Sequence, residues 1–299
     1  MRGRGVERAA GSVGDVPSPS SPTRGRHRRA AAVGLAALVV LAGCVPAGGA
    51  DDGRATTAPP TATATTPATP SAPAPPALRT AAETRASGSP LTSGTVTVWV
   101  APEGDAPPTS ATPQADGSVL AAVAPPPPAG VVATVAGPEG TSWTRLADGS
   151  AVLHDATGAA VAALAPVGAT RLDLAATLAG STGTEGTGDT VHLVASRGDD
   201  PAVGVRLGTE TLVDASWGER EGGRSLAVTP AAWVRAGSAA ARELLWAQLV
   251  AREPEADSAS VRAQLECHEL GAPDKDAWNL EPWRPDVTAL EMIAARCNP

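Results

Sequence analysis

Between Thr95 and Ala195 apolar and polar residues alternate in short runs: TVTVWV (95–100), VLAAV (119–123), VVATVA (131–136), SWTRL (142–146), SAVLHD (150–155), VAALA (161–165) and TVHLVA (190–195). A period of two is that of a strand with one buried face, so these runs predict an antiparallel β-rich module over residues 93–213. Turn signals separate several of them, at Asp116-Gly117, Pro138-Glu139-Gly140, Asp148-Gly149 and Thr157-Gly158, and 142–165 reads as two successive hairpins. Pro125–Pro128 interrupts the pattern as a rigid linker or edge segment, and Gly180–Gly188 as a flexible loop.

After Ser238 the period changes. Ala241, Leu244, Leu245, Gln248 and Leu249 fall on one face of a helix that Ser238 is placed to cap. Asp257 is expected to cap a second helix over 258–270, stopped by Gly271 with Pro273 beyond. Asp286 is expected to cap a third over 287–296, with Leu290 and Ile293 facing inward. The segment 272–285 between them reads as irregular. The predicted class is α+β: a disordered Pro/Thr-rich N-terminal stalk, an antiparallel β-rich middle module, and a small disulfide-stapled C-terminal domain with helices over 214–299.

The first 92 residues belong to neither pattern. Residues 1–29 carry seven arginines against Glu7 and Asp15, and 30–43 read AAAVGLAALVVLAG, ending at Cys44. A basic stretch, a short apolar run and small residues make a secretory signal peptide over 1–43. The run is shorter than the roughly 20 residues a helix needs to span a bilayer. Leu41-Ala42-Gly43-Cys44 resembles the lipobox of bacterial lipoproteins. The resemblance implies that Cys44 is diacylated and anchors the protein at the extracytoplasmic face of the cell membrane. The alternative is a plain secreted protein cut elsewhere. Residues 44–92 are an Ala/Thr/Pro-rich linker too poor in large apolar residues to bury anything, and so expected to be disordered.

Composition narrows the chemistry. Phe and Tyr are absent and seven Trp remain, so the core must be built from Ala, Val and Leu around indole anchors. Removing residues 1–43 takes seven positive and two negative charges from totals of 23 and 31, and leaves a net charge of −13. Such a surface repels phosphate backbones, which excludes nucleic acid as a partner and leaves acyl chains as the membrane attachment. With Cys44 acylated, Cys267 and Cys297 form an even pair in an oxidising compartment, and a disulfide follows. The alternative, a reactive thiol at Cys267 beside His268, requires Cys297 to be unpaired as well.

The sole Lys (Lys275), the sole Ile (Ile293) and both Asn (Asn279, Asn298) fall between 275 and 298. Within that stretch Trp278-Asn279-Leu280-Glu281-Pro282-Trp283-Arg284-Pro285-Asp286 carries two residues, Glu281 and Arg284, that the following prolines push to extended geometry. Cys267-His268, Lys275, this run, Val287 and Cys297-Asn298-Pro299 together resemble the DUF2599 family, a bacterial domain at the C-termini of exported proteins. The resemblance covers roughly 215–299, Trp217, Trp233 and Trp246 also fit it, and it implies no known activity. Thr288-Ala289 departs from the pattern, where relatives usually have Gly plus an aromatic.

Three readings of the motif stand side by side. In the first, Trp278 and Trp283 plug a small core while Arg284 stacks on an indole or pairs with Glu281 or Asp286. In the second, Trp278, Asn279, Glu281, Trp283 and Arg284 form or support a surface site for an envelope glycan or a protein partner. In the third, a hydrolase, Glu281 and Asp286 act as an acid–base pair, or His268 and Glu281 as a general-base couple. No G-x-S-x-G, HExxH, phosphate-loop or dinucleotide fingerprint occurs, and no cofactor is implied. His154, His192 and His268 are too scattered to suggest a metal site, and His154 and His192 are expected to be packed or solvated on strands.

Overall fold

The computed structural model describes residues 77–106, 108–123, 130–168, 170–180, 185–196 and 203–299. Cys44, the signal segment, most of the linker and Pro125–Pro128 lie outside them. Regular structure is already present before residue 92. Helix α1 (Ala81–Ser87) and strand β1 (Ser89–Ser93) are part of the fold. A capping box between Thr80 and Glu83 starts α1, and Thr84 and Leu91 are buried.

The strands that follow are β2 (Val96–Pro102), β3 (Ser110–Pro113), β4 (Val119–Ala122), β5 (Gly130–Ala136), β6 (Ser142–Arg145), β7 (Ala151–His154), β8 (Ala160–Val167) and β9 (Thr170–Asp173). A short helix α2 (Ala175–Leu178) leads to β10 (Gly186–Gly188), β11 (Thr190–Ala195) and β12 (Gly204–Gly208). They form a five-stranded sheet, β1-β2-β5-β11-β9, and a seven-stranded sheet, β10-β6-β7-β8-β12-β4-β3, all antiparallel. Both sheets turn their apolar positions into one core: Val98, Val100, Val135 and Leu193 from the first meet Trp143, Leu153, Leu164 and Leu207 from the second. With no Phe or Tyr available, Trp143 is the one large aromatic in this core.

The C-terminal part begins with a hairpin, β13 (Leu212–Arg220) and β14 (Gly223–Pro230), that the alternation pattern had not marked. Then come α3 (Ala239–Arg252), α4 (Ala259–Gly271), β15 (Trp278–Leu280) and α5 (Ala289–Ala294). Strand β15 adds to β14 and makes a three-stranded sheet, so the segment expected to be irregular contains a strand. Ser238 caps α3 as expected, and the next two caps are one or two residues later than expected: Ser258 caps α4, and Thr288 with Glu291 makes a capping box for α5. On α5 the expected orientation is reversed. Leu290 and Ile293 are exposed and Met292 is buried, on the short helix that the Cys267–Cys297 bridge ties to α4.

The described residues form one compact unit. Helix α3 lies on the outer face of the seven-stranded sheet, where Val152 and Ala163 join Leu244, Leu245, Leu226, Val228, Trp278 and Leu280 in a second core. Strands β7 and β8 are therefore buried on both faces, which explains why Ala151-Val152-Leu153 and Ala162-Ala163-Leu164 are continuous apolar runs. Two side chains pin the junction. Gln248 on α3 accepts from Thr211 N (3.0 Å) and Thr211 Oγ1 (2.7 Å) and donates to Thr209 O (2.6 Å). Gly208 lets the backbone approach Trp233 so closely that a Cβ there would sit 2.3 Å from the indole. Among the described residues no helix is long and apolar enough to cross a membrane.

Candidate functional site

The period of β15 assigns its side chains. Pairing of Val228 with Trp278 and of Leu226 with Leu280 sends Trp278 and Leu280 into the core and leaves Asn279 on the outer face. Trp278 is fully buried, its indole N–H donates to Ala272 O (3.0 Å), and Arg235 covers the ring at 5.5 Å. It offers no face to a ligand. It is a core plug, beneath the surface rather than part of it.

The polar residues after it form a clasp. Gln264 on α4 accepts from Glu281 N (2.9 Å) and donates to Glu281 O (3.0 Å) and Ser260 Oγ (3.1 Å), while Ser260 Oγ donates to Arg284 O (3.0 Å). Glu281 and Arg284 are buried and ion-paired with each other. The remaining Arg284 donors reach Glu221 Oε2 (2.7 Å) in the β13–β14 turn and Pro299 O (2.9 Å), and its guanidinium lies 4.6 Å from the Trp283 ring. One arginine thus ties the hairpin turn, the end of β15 and the last residues of the chain together. Trp283 is half exposed and rests on Gly223, where a Cβ would collide with the indole nitrogen at 2.2 Å.

The residues of the two acid–base readings have other partners, or none. Glu281 is occupied by Arg284, and Asp286 is exposed and makes no ion pair among the described residues. His268 bonds to a backbone carbonyl rather than to Glu281: Nε2 donates to Asn279 O at 3.1 Å. That bond requires Nε2 to carry the proton, so Nδ1 is a lone-pair acceptor, and it is buried with no partner among the described residues. Burial holds the His268 pKa below its ordinary 6.5, helped by Lys275 and opposed by the Asn279 bond and Glu281. Among the described residues no group of three or more His, Cys, Asp or Glu could hold a metal ion. His192 is buried against Thr134, with Nδ1 to Oγ1 at 3.0 Å, and His154 faces Gly158 O at 3.1 Å.

Cys267 on α4 and Cys297 after α5 are joined in a disulfide, with 5.5 Å between their Cα atoms. The bridge and its surroundings build a cleft of about 500 Å³ lined by His268, Leu270, Lys275, Ile293 and Arg296. Arg296 and Cys297 hold left-handed backbone, with φ of 55° and 68°, where glycine is the usual residue. Of the five large apolar side chains exposed among the described residues, Leu270, Trp283, Leu290 and Ile293 lie between 270 and 293. The sequence carried one hint of this place, the sole Lys and the sole Ile; nothing in it linked Leu270 and Arg296 to them. A second groove, about 570 Å³ beside α3, is walled by Trp246 and Glu243, and Arg262 ion-pairs with Glu243 and lies 5.5 Å from the Trp246 ring.

Comparison with known proteins defines the class of this C-terminal region. Residues 213–299 match the family "Protein of unknown function (DUF2599)", which takes in the β13–β15 sheet, the clasp, the disulfide and the cleft. The chain is similar to uncharacterized proteins of Mycobacterium tuberculosis and Mycobacterium bovis, each 45% identical over 93 residues, 28% of this chain and 61% of the relative. An uncharacterized protein of Mycobacterium leprae is 41% identical over 64 residues, 20% of this chain and 52% of the relative. The chain thus spans less than two thirds of the length of these relatives. No solved structure matches it.

Proposed function

We propose that this is an exported protein, anchored through acyl chains on Cys44, whose C-terminal domain is an interaction module that captures an apolar ligand at the cell envelope. The observation that carries the reading is the exposure of two aliphatic side chains, Leu270 and Ile293, at one cleft, with Leu290 exposed one turn before Ile293 on α5. Contiguous exposed apolar surface is costly unless something covers it. Aliphatic rather than aromatic lining favours an apolar ligand over a stacked glycan ring. The hydrolase reading loses support because Glu281 and His268, two of its three residues, are committed to Arg284 and Asn279.

The test uses the mature chain with Cys44→Ala, incubated with isolated cell envelope. Wild-type binding surface should retain it, and Ile293→Asp should abolish retention while leaving the thermal midpoint within about 2 °C, because Ile293 is solvent-facing. Retention unchanged by Ile293→Asp and Leu270→Asp together would overturn the reading. In cells, Cys44→Ala should move the protein from the membrane fraction to the medium.

A further inference from the structure

We infer that the cleft between α4 and α5 binds a single-chain anionic phospholipid, with its acyl chain on Leu270 and Ile293 and its phosphate between Lys275 and Arg296. The inference rests on the interaction-module reading and names the ligand of that same cleft.

The charges make the first argument. Residues 44–299 carry a net charge of −13, yet the two cations lining this cleft, Lys275 and Arg296, form no ion pair among the described residues. The acids on the flanking helices are already used. Glu269 binds Arg242 at 2.7 Å, Glu266 faces Arg262 at 3.4 Å, and Glu291 is held in the capping box of α5. Asp274 and Asp276 flank Lys275 in sequence without an ion pair to it, so among the described residues both cations are open to an anion from outside the chain. A phosphate suits two cations of different shape, a point-charge ammonium and a forked guanidinium.

The apolar surface makes the second. Leu270 and Ile293 line the cleft, and Leu290, three residues before Ile293 on the same face of α5, prolongs the track outward. An acyl chain fits a narrow aliphatic track of this kind better than a sugar or a folded surface, and the disulfide beneath keeps the two walls at a fixed separation.

A ligand with one acyl chain and a phosphate meets both arguments, and a lysophospholipid carries the two together.

The experiment titrates the Cys44→Ala protein with lysophosphatidylglycerol below its micelle-forming concentration, with a monoacylglycerol and palmitate as comparators. The expected result is saturable one-to-one binding of the lysophospholipid. The monoacylglycerol, which lacks the anion, and palmitate, whose smaller carboxylate is less able to bridge Lys275 and Arg296, should each bind about tenfold more weakly. Lys275→Ala and Arg296→Gly should each weaken lysophospholipid binding about tenfold and leave the monoacylglycerol unaffected. Gly271→Leu, which fills the cleft from α4 where a Cβ lies an ordinary 3.5 Å from Cys297 Sγ, should abolish binding of all three. Equal affinities for lysophospholipid and monoacylglycerol would overturn the headgroup assignment. Absence of lipid binding, with Ile293→Asp still abolishing envelope retention, would overturn the lipid inference and keep the interaction module with a protein partner. If retention too survives Ile293→Asp and Leu270→Asp, the module reading itself falls.

Discussion

Asp148, in the turn between β6 and β7, accepts a hydrogen bond from the backbone N–H of Ala239, the first residue of α3, at 2.8 Å. Ser150 in the same turn accepts from Ala240 N at 3.0 Å, and Ser238 from Ala241 N at 3.2 Å. Three of the four N–H groups that a helix start leaves open are met this way, two of them from the sandwich of the five- and seven-stranded sheets, 91 and 90 residues upstream. Burial pushes the Asp148 pKa upward, and the bonds from Ser150 and Ala239, with Arg242 nearby, outweigh it and hold the pKa below 3.8.

Asp148→Ala should therefore destabilise the protein by about 1–2 kcal/mol, the usual worth of a helix cap. Denaturant unfolding followed by Trp emission measures it. Ser238→Ala should cost a similar amount. The double variant should lose more than either alone, because Ala239 and Ala241 are separate donors.

Arg284→Ala should be the most damaging single change in the motif. It leaves Glu281 buried without its partner and unties Glu221 and Pro299, and breaking such a buried pair costs about 3–5 kcal/mol. Glu281→Gln, which keeps a hydrogen-bonding group facing the guanidinium, should cost less. A thermal midpoint nearly unchanged by Arg284→Ala would show that the clasp contributes little.

Reduction of the Cys267–Cys297 bridge should lower stability by about 3–4 kcal/mol, in the chain-entropy account of a closed loop spanning 30 positions. The loss should concentrate in α5 and the chain after it, whose left-handed residues Arg296 and Cys297 are held by that bond. Amide exchange before and after reduction reads this directly: protection at Met292 and Cys297 should fall while that of Leu193 and Val205 in the sandwich is retained.

Stability should also fall on mild acidification. His192 and His268 have pKa values lowered by burial, against Asp173 for the first and against the Asn279 bond and Glu281 for the second. Below the ordinary value of 6.5 the unfolded chain takes up protons that the folded chain refuses, so stability declines from there down to the folded pKa values and then levels. Glu269 acts with the opposite sign: burial raises its pKa above 4.5, against the Arg242 bond, so it favours folding more at low pH. Urea midpoints between pH 7 and 5 should drop for the wild type and drop less for His192→Gln and His268→Gln.

Local pattern was enough for much of this architecture. The alternating runs around Val98, Val135, Leu153 and Leu193 lie on strands, the apolar face of α3 is the one with Leu244, Leu245 and Leu249, and Cys267 pairs with Cys297. Each depends on period or on pairing parity, which neighbours along the chain express. The DUF2599 resemblance likewise rested on a contiguous motif, and 213–299 match that family.

Tertiary structure decided the rest. Trp278 and Trp283 are alike in sequence, but pairing with β14 buries the first while the second lies beyond the strand end on the hairpin turn. Glu281 and Arg284 read equally well as a binding pair or a staple until Glu221 and Pro299, 63 and 15 residues away from Arg284, are seen to complete the clasp. Leu290 and Ile293 have the spacing of a buried helix face, yet they point outward, because the disulfide and Met292 fix which side of a six-residue helix meets α4. Period says that two residues share a face. Only the packing of distant segments says whether that face is covered.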